Sequence, residues 1–511
     1  MNNTWNDGYA TDSDYLPYYF NELNPLQLKL FLLAKGIVPP KIINACELGF
    51  GKGLSINFHA VSSDVNWYGT DFIPSQVSFA KKLANYAQND NVHLFDDSFA
   101  EFAARDDLPQ FDYIALHGIW SWISDENKKI IVDFIRRKLN VGGILYISYN
   151  TFPGHNRTAP LRELLSVYAK NLAIPNTSIT ERVDNALDFA KNILSNSQFH
   201  CSQNPQVIAK LESLRKQDHT YLEHEYCNEH WSPVYFTEMA QWLEPAKLSF
   251  ACSATAIENL DKINFNQTHN EILNSINDPI IKELIKDFII NQQFRRDIWI
   301  KGPVYLNNAE KHELLRELNC ILIKPKNSIK MTTLGLLGEA NFADIYEPIL
   351  QVLGDNSFHS ITEIAKATEE KNFKFNHMIS GLIALFEQKA LLISQKPSQE
   401  IISRCQNMNK QLLDQIILNP QIVELASPLT GGALSFDPVA LTFIYAYTQL
   451  KKPITHKKLV TFAWDILSLK NHRIVKEGKI LETDEENLEE IKKEALEFLE
   501  HVLIYEKLQL F

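Results

Sequence analysis

The chain has 511 residues, of which 45% are hydrophobic, and this length predicts about three domains rather than one core. Its 50 basic and 62 acidic residues give a net charge of −12, which argues against sequence-independent nucleic-acid binding, because such binding depends on neutralising phosphates with Lys and Arg. The six cysteines lack C-x-x-C spacing, the first residues lack a signal-peptide pattern, and no apolar run is long enough to span a bilayer, so we expect a cytoplasmic protein without membrane insertion.

The first predicted element is an aromatic arm. Residues 15–25 combine four aromatic side chains with two prolines, and an amphipathic segment follows at residues 26–34. An arm of this kind either packs its rings on the core or covers a ligand pocket. Tyr18 and Phe20 are the candidates for contact with a ligand.

The next segment, residues 42–53, is an apolar run that breaks into three alternating glycines, Gly49, Gly51 and Gly53. This pattern predicts a buried strand that turns tightly into a helix, because glycine lets backbone amides approach a ligand closely. The spacing is G-x-G-x-G, whereas the dinucleotide fingerprint is G-x-G-x-x-G. Glu47 precedes the first glycine; its carboxylate would repel a pyrophosphate and suit a ligand with a cationic amino-acid end, such as S-adenosylmethionine (AdoMet).

Four more short strands follow, and each is predicted to end in polar residues. The second ends at Asp71, eighteen positions after the last of these glycines, where an acid accepts hydrogen bonds from ribose hydroxyls. The third ends at Asp97 and Ser98, and the fourth and fifth occupy residues 111–118 and 142–150. Strands that alternate with helices predict a parallel sheet, with ligands at the carboxyl ends of its strands.

Taken in order, these motifs resemble those of the class I AdoMet-dependent methyltransferases. Further segments are similar to the bacterial methyltransferases that carry a regulatory domain, a family that includes the rickettsial protein-lysine methyltransferases acting on outer membrane protein B. Those segments are residues 117–122, 147–154, 233–236 and 287–296. The resemblance covers about the first three hundred residues strongly and implies a Rossmann-like α/β fold, AdoMet as cofactor, a lysine-containing bacterial surface protein as substrate, and a homodimer.

The resemblance also implies which residues contact the cofactor. The glycine turn would admit the methionine end, Asp71 would bind the ribose, Asp97 and Ser98 the adenine edge, and Phe72 the adenine face. The full set of candidate cofactor-binding residues is Tyr18, Phe20, Glu47, Gly49, Gly51, Gly53, Asp71, Phe72, Asp97, Ser98 and His117.

Four residues are candidates for the catalytic step. Trp120 is preferred to Trp122 as an aromatic ring at the mouth of the site, since such a ring attracts a sulfonium or an alkylated ammonium. Tyr149 and Asn150 are candidates to desolvate and orient a lysine amine, whose pKa falls in a drier site. His117 and Tyr149 are the candidate proton acceptors, and loss of the proton to water is the alternative.

The remaining chain predicts further domains. Residues 155–225 have helical periodicity and interrupt the core as an insertion available for dimerisation, and the core (1–154) resumes at 226–262. Residues 263–344 are assigned to a middle, regulatory domain and 345–511 to a C-terminal domain with winged-helix order. The winged helix has few basic residues on its second helix, so we expect no nucleic acid as partner. The His- and Cys-containing segment 219–230 lacks the spacing of a zinc site, and no metal is expected.

Other functions remain open on the sequence alone. A small-molecule AdoMet-dependent methyltransferase retains the same cofactor site. A non-catalytic regulator that senses AdoMet is a second alternative. A NAD-dependent dehydrogenase is disfavoured by Glu47 and by the glycine spacing.

Overall fold

The computed structural model describes residues 17–174, 177–226, 228, 230–416, 422–469, 473–476 and 478–511. Its centre is a seven-stranded sheet in the order β3-β2-β1-β4-β5-β7-β6. Strands β1 to β5 are parallel, and β7 runs antiparallel to both of its neighbours. The strands are β1 (Asn44–Leu48), β2 (Asn66–Thr70), β3 (Val92–Phe95), β4 (Phe111–Leu116), β5 (Leu139–Asn150), β6 (Leu248–Ser253) and β7 (Phe294–Lys301).

Helices cover both faces of this sheet, because successive side chains of a strand point to opposite faces. On one face Ala45 and Tyr113 share a buried cluster with α1 and α2; on the other Cys46 and Ile114 share one with α4, α5 and α11. These helices and their neighbours are α1 (Pro25–Ala34), α2 (Leu54–Val61), α3 (Pro74–Ala87), α4 (Phe99–Ala104), α5 (Asp125–Lys138), α11 (Phe236–Leu243), α12 (Asp261–Asn264), α13 (Gln267–Asn274) and α14 (Pro279–Ile290).

Among the described residues, five helices lie between β5 and α11 in the chain. They are α6 (Ala159–Asn171), α7 (Ile179–Ser195), α8 (Gln198–Gln203), α9 (Gln206–Leu214) and α10 (His219–Tyr226). Their apolar residues form a small core of their own, which includes Leu165, Leu187 and Leu211. The segment is therefore an insertion with separate packing.

The rest of the chain contains small sheets and helices. The strands are β8 (Asn319–Leu322), β9 (Thr332–Gly335), β10 (Gly338–Asn341), β11 (His359–Ser360), β12 (Leu391–Ser394), β13 (Glu424–Ser427), β14 (Gly432–Ser435), β15 (Val475–Lys476) and β16 (Lys479–Ile480). The helices are α15 (Asn308–Glu317), α16 (Ala343–Leu353), α17 (Ile361–Glu370), α18 (Phe375–Glu387), α19 (Gln399–Ile416), α20 (Pro438–Gln449), α21 (His456–Leu469) and α22 (Asp484–Lys507). Short 3-10 turns occupy Asn21–Leu23, Trp120–Trp122, Gly154–Arg157, Glu244–Ala246, Ala256–Asn259 and Lys326–Ser328.

Two strands cross the predicted domain boundaries. Phe294–Lys301, which the sequence analysis placed in the middle domain, is β7 and lies inside the central sheet between β5 and β6. Asn319–Leu322 pairs with β11 and β12 beside the helix pair α17 and α18, in the unit predicted as a winged helix. The predicted α/β fold class with a Rossmann-like sheet is confirmed, while the middle segment is shared between its two neighbours.

Helix α2, which follows the glycine turn, is buried along its whole length. Its residues Ile56 and Ala60 belong to the cluster that includes the central sheet, whereas Leu54, Phe58 and Val61 belong to a cluster with α19 to α22. The C-terminal part of the chain therefore covers the outer side of the helix that begins at the candidate site.

Candidate functional site

The predicted glycine turn lies between β1 and α2, at the carboxyl end of β1. Gly49, Gly51 and Gly53 have φ angles of +71°, +57° and +70°, which L side chains rarely adopt. A Cβ on Gly53 would lie 2.5 Å from the Cβ of Ala80 on α3, so this position also requires the missing side chain for packing. The turn thus presents backbone without side chains at the edge where parallel sheets bind ligands.

Glu47 lies one residue before the end of β1, between Gly69 of β2 and Ala115 of β4. Its side chain is 4% exposed, and its Oε2 atom has no hydrogen-bond partner among the described residues. Burial, reinforced by the nearby Asp71 carboxylate, raises its pKa to about 8. A buried acceptor without a donor is costly, and a cationic amino group is the ligand group that would satisfy it.

Asp71 follows β2 and holds the glycine turn. Its Oδ2 accepts a hydrogen bond from the backbone N–H of Gly51 at 2.8 Å, and its Oδ1 accepts one from Ile73 at 3.0 Å. Burial raises its pKa to about 6, against these two bonds, which lower it. A carboxylate has about four lone-pair sites, so acceptor capacity remains for the hydroxyls of a ribose.

The polar residues after β3 are engaged with the protein. Asp97 accepts a hydrogen bond from the guanidinium of Arg105 at 3.1 Å. Ser98 caps α4 in a reciprocal capping box with Glu101. Phe72 lies half-buried after Asp71 at the same edge of the sheet. These residues surround the edge expected to contact adenine, with the Ser98 hydroxyl used as a helix cap.

His117, after β4, lies beneath the N-terminal arm. The ring of Phe20 lies 3.9 Å from the ring of His117, centroid to centroid, and the backbone N–H of Phe20 donates to Ser55 Oγ at 2.9 Å. The Nδ1 atom of His117 is 2.8 Å from the hydroxyl of Tyr146. Tyr18 is 63% exposed, with its ring 4.9 Å from that of Phe20. Burial, and secondarily Arg296, lowers the pKa of His117 to about 3, so it is neutral near pH 7.

The two tryptophans have the opposite exposure to that expected. Trp120 has no exposed surface and packs edge-on against Trp242 at 5.6 Å, inside the cluster beneath α5 and α11. Trp122 is half-buried, with the guanidinium of Arg162 5.9 Å from its ring. Residues two apart in a 3-10 turn point in different directions, so only one of the pair enters the core. The expected position of Trp120 at the mouth of the site is therefore wrong.

Tyr149 and Asn150 end β5. The Tyr149 hydroxyl donates to Asp297 Oδ2 at 2.6 Å, and Asp297 also accepts from Arg295 at 3.0 Å. Burial and the Asp297 charge hold the pKa of Tyr149 well above its usual value, and the hydroxyl acts as the donor to Asp297. Asn150 is buried at the same edge, and its backbone N–H donates to Ser121 Oγ at 2.8 Å.

Several contributors were missed from the sequence. Ile119 covers the glycine turn, since a Cβ on Gly49 would lie 2.4 Å from its Cδ1. Phe294 pairs with Asn150 in the sheet, and its ring lies 6.2 Å from that of His117. Ser55 accepts a hydrogen bond from the backbone of Phe20, and the Tyr146 hydroxyl is hydrogen-bonded to His117. The pairing of β7 with β5, which brings Phe294 next to Asn150, has no local signal in the sequence.

The part of the chain that the structure describes bears on metal binding and on membrane insertion. It contains no group of three or more His, Cys, Asp or Glu residues placed to hold a metal ion. Cys227 of the His- and Cys-containing segment lies outside the described residues. Within the same described ranges, no helix has the length and apolar character needed to cross a membrane.

Comparison with known proteins gives three findings. Residues 218–301 match the family described as predicted methyltransferase regulatory domain. The chain is 36% identical over 504 residues to uncharacterised protein sll1526 of Synechocystis sp., covering 97% of each chain. It is 27% identical over 323 residues to uncharacterised protein RP789 of Rickettsia prowazekii, covering 62% of this chain and 57% of that one.

The fold is similar to that of PKMT2 from Rickettsia typhi, whose structure contains AdoHcy. The TM-score is 0.67 at 19% sequence identity, over 96% of this chain and 99% of that one. A second structure of PKMT2 gives a TM-score of 0.65 at 18% identity. With 96% of this chain covered, the similarity extends beyond the central sheet.

Proposed function

We propose that this chain, which belongs to the same protein family as Synechocystis sll1526 and has the class I methyltransferase fold, is an AdoMet-dependent protein-lysine N-methyltransferase. The observation that carries the proposal is the buried Glu47 Oε2 atom, which lacks a partner among the described residues beside three positive-φ glycines. The match to a methyltransferase regulatory domain over residues 218–301 supports the same conclusion.

The residues at the site fit AdoMet. Glu47 accepts the cationic amino group, the glycine turn admits the methionine end, and Asp71 accepts from the ribose hydroxyls while it holds Gly51. Phe72, Asp97 and Ser98 surround the adenine end, and Tyr18 and Phe20 close the opening over His117. When bound, AdoMet supplies a methyl group activated by its sulfonium. The protein contributes chiefly by holding the amine in line with that methyl group.

Proton removal from the lysine is assigned to water. A lysine ammonium has a reference pKa near 10.4 and must lose a proton before it attacks. His117 has a pKa of about 3 and is therefore a very weak base, and the Tyr149 hydroxyl already donates to Asp297. Asn150, buried at the end of β5, orients the amine in a site dry enough to lower its pKa. Of the four candidate catalytic residues, only Asn150 thus retains a direct role, which is to orient the amine.

A protein is the substrate that suits the whole chain. The insertion of α6 to α10 and the large C-terminal part lie outside the central sheet, and the net charge of −12 suits a lysine-rich partner. By analogy with the rickettsial relatives, the substrate is a lysine-containing bacterial surface protein, methylated in the cytoplasm. The insertion exposes Leu172, Ile174 and Phe199 and is assigned to homodimerisation, which sedimentation equilibrium tests.

We retain the domain assignment with two adjustments. The methyltransferase core comprises 1–154 and 226–262 together with β7, and the insertion is 155–225. The C-terminal domain of 345–511 gains β8, and the remainder of 263–344 links it to the core. Limited proteolysis followed by mass spectrometry tests these boundaries, since cleavage concentrates in exposed linkers.

Transfer of methyl groups is tested directly. The purified protein is incubated with AdoMet and a panel of lysine-containing bacterial surface proteins, and the tryptic peptides are analysed by mass spectrometry. The proposal requires methylated lysines with the wild type and their loss with Asp71→Ala. The exposed Asp90, before β3 at the opposite edge of the sheet, supplies the control variant Asp90→Ala. Methylation of a small molecule alone would contradict the protein substrate, and AdoMet binding without any transfer would indicate a regulator.

A further inference from the structure

We propose that the β13–β14 hairpin positions the N-terminal arm over the cofactor site and thereby sets the affinity for the cofactor, with Tyr19 and Gly432 as positioning residues. The inference rests on the proposed AdoMet site. It connects the β13–β14 hairpin of the C-terminal part of the chain to the site at the carboxyl end of β1.

The arm has two faces. Phe20 has an extended backbone conformation, in which neighbouring side chains point in opposite directions. Tyr18 and Phe20 lie on the site side, where the Phe20 ring lies against that of His117. Tyr19 points the other way and is buried. A shift of Tyr19 therefore moves Phe20 relative to the site.

Tyr19 ends against the hairpin. Its hydroxyl accepts a hydrogen bond from the backbone N–H of Ala433 at 3.0 Å, and it lies 3.3 Å from Nε2 of His59 on α2. Burial raises the pKa of Tyr19 and lowers that of His59 to about 3, so both groups are uncharged near pH 7. The contact is a neutral, buried hydrogen-bonded triad between the arm, α2 and the hairpin.

Five further buried hydrogen bonds join the arm, α1 and the end of α2 to the hairpin and to β12. Asn24 Nδ2 and Gln27 Nε2 donate to the carbonyl of Thr430 at 3.0 and 2.9 Å. Gln27 also exchanges two hydrogen bonds with the backbone of Ile393, and Ser62 Oγ donates to the carbonyl of Gly432 at 3.0 Å. The hairpin therefore contacts Tyr19 and Asn24 of the arm and Ser62 at the end of α2.

Gly432 is the closest point of this contact. A Cβ added there would lie 2.2 Å from the Tyr19 hydroxyl oxygen and 2.9 Å from Asn24 Nδ2. Real Cβ atoms do not approach so closely, so an alanine must displace Tyr19, the hairpin, or both. The arm and the hairpin fit each other only while residue 432 lacks a side chain.

An arm already held in place loses little freedom when the cofactor binds, and preorganisation of this kind raises affinity without adding a contact to the ligand. If Tyr19 is displaced, the arm is no longer held in place, and the conformational entropy lost in ordering it then opposes cofactor binding. We therefore expect a displaced arm to raise the dissociation constant of the cofactor although the residues that contact the ligand are unchanged.

Gly432→Ala and Tyr19→Phe test the proposal in the full-length protein, with titration calorimetry of S-adenosylhomocysteine as the readout. We expect each to raise the dissociation constant about tenfold, a usual size for coupled sites. Gly381→Ala is the matched control, because the nearest atoms to its Cβ, at 2.9 to 3.4 Å, belong to Ile349 and Ile345 of α16 and not to the arm. It should lower the thermal midpoint and leave the affinity unchanged.

A thermodynamic cycle separates positioning from general loss of stability. In a Phe20→Ala background the arm no longer covers the site, so Gly432→Ala should weaken binding no further. An additive effect in that background contradicts positioning through the arm. Wild-type binding with unchanged affinity in both Gly432→Ala and Tyr19→Phe contradicts this proposal alone, whereas absence of wild-type binding contradicts the cofactor as well.

Discussion

At the scale of single residues, Glu47 combines a binding role with a cost in stability. Its pKa is about 8 in the folded protein against 4.5 for the ordinary group, so folding retains a proton that the unfolded chain releases. The stability from this proton is fully present below about pH 4.5 and is lost as the pH rises through about 8. A ligand ammonium reverses the balance, because it favours the ionised carboxylate.

Glu47→Gln should therefore raise the thermal midpoint of the ligand-free protein while it weakens S-adenosylhomocysteine binding. The gain over the wild type should grow between about pH 5 and about pH 8 and reach about 2 °C. Scanning calorimetry at these two values measures it, with Glu126→Gln on the exposed face of α5 as control. A variant less stable than the wild type at pH 8 would contradict a costly buried carboxylate.

His117 gives a second prediction at this scale. With a pKa near 3, its ring does not change charge between about pH 6 and about pH 9. The value of kcat/KM for a lysine substrate should then rise with pH toward the pKa of the amine itself, and His117→Asn should lower the rate without changing that profile. An inflection near neutral pH that disappears in the variant would assign the base to His117 after all.

At the scale of elements, β7 is held to the sheet by a buried ionic cluster. Arg295 contacts Asp287 at 2.5 Å, Asp297 at 3.0 Å and Glu283 at 3.3 Å, and Asp297 also receives the Tyr149 hydroxyl. Burial raises the pKa of Asp287 to about 7, against the Arg295 charge that lowers it. The cluster therefore joins β7 to α14 and, through the Tyr149 hydroxyl, to the end of β5.

Arg295→Met should lower the free energy of unfolding at pH 8 by about 3 kcal/mol, because the carboxylates are left buried without a cation. The loss should shrink toward pH 5, where those carboxylates take up protons. Chemical denaturation at both values measures it. The half-exposed Arg136, paired with Asp133 on α5, supplies the control Arg136→Met, for which we expect a change below about 0.5 kcal/mol. An equal loss at both pH values would contradict the charge argument.

At the scale of the whole molecule, local sequence patterns predicted strands β1 to β5 of the sheet. They could not predict which strands pair when those strands are far apart in the chain. The glycine turn, Glu47 and Asp71 were identifiable because strand, turn and helix signals lie within a few residues. The position of β7 was not, since its partner Asn150 is over a hundred residues away and no local feature encodes that pairing. The exposures of Trp120 and Trp122 depend on how α5 packs over the 3-10 turn, which spacing alone does not specify.

The extensive contacts between the predicted C-terminal domain and the core could not be predicted from the sequence. Its contacts with the core combine apolar packing on α2 with buried hydrogen bonds such as that between Tyr19 and Ala433, and contacts between segments so far apart in the chain leave no local pattern in the sequence. The structure shows this contact in the complete burial of α2, which packs on the central sheet on one side and on the C-terminal helices on the other.

The most direct measurement is titration calorimetry of S-adenosylhomocysteine and of NAD with the wild type and Asp71→Ala, supported by thermal shift. A ligand at a hundred times its dissociation constant stabilises the folded state by about 2.7 kcal/mol. The account predicts binding and stabilisation by S-adenosylhomocysteine in the wild type, severe weakening in Asp71→Ala, and no response to NAD. Binding of NAD, or an Asp71→Ala variant that binds S-adenosylhomocysteine as tightly as the wild type, would contradict it.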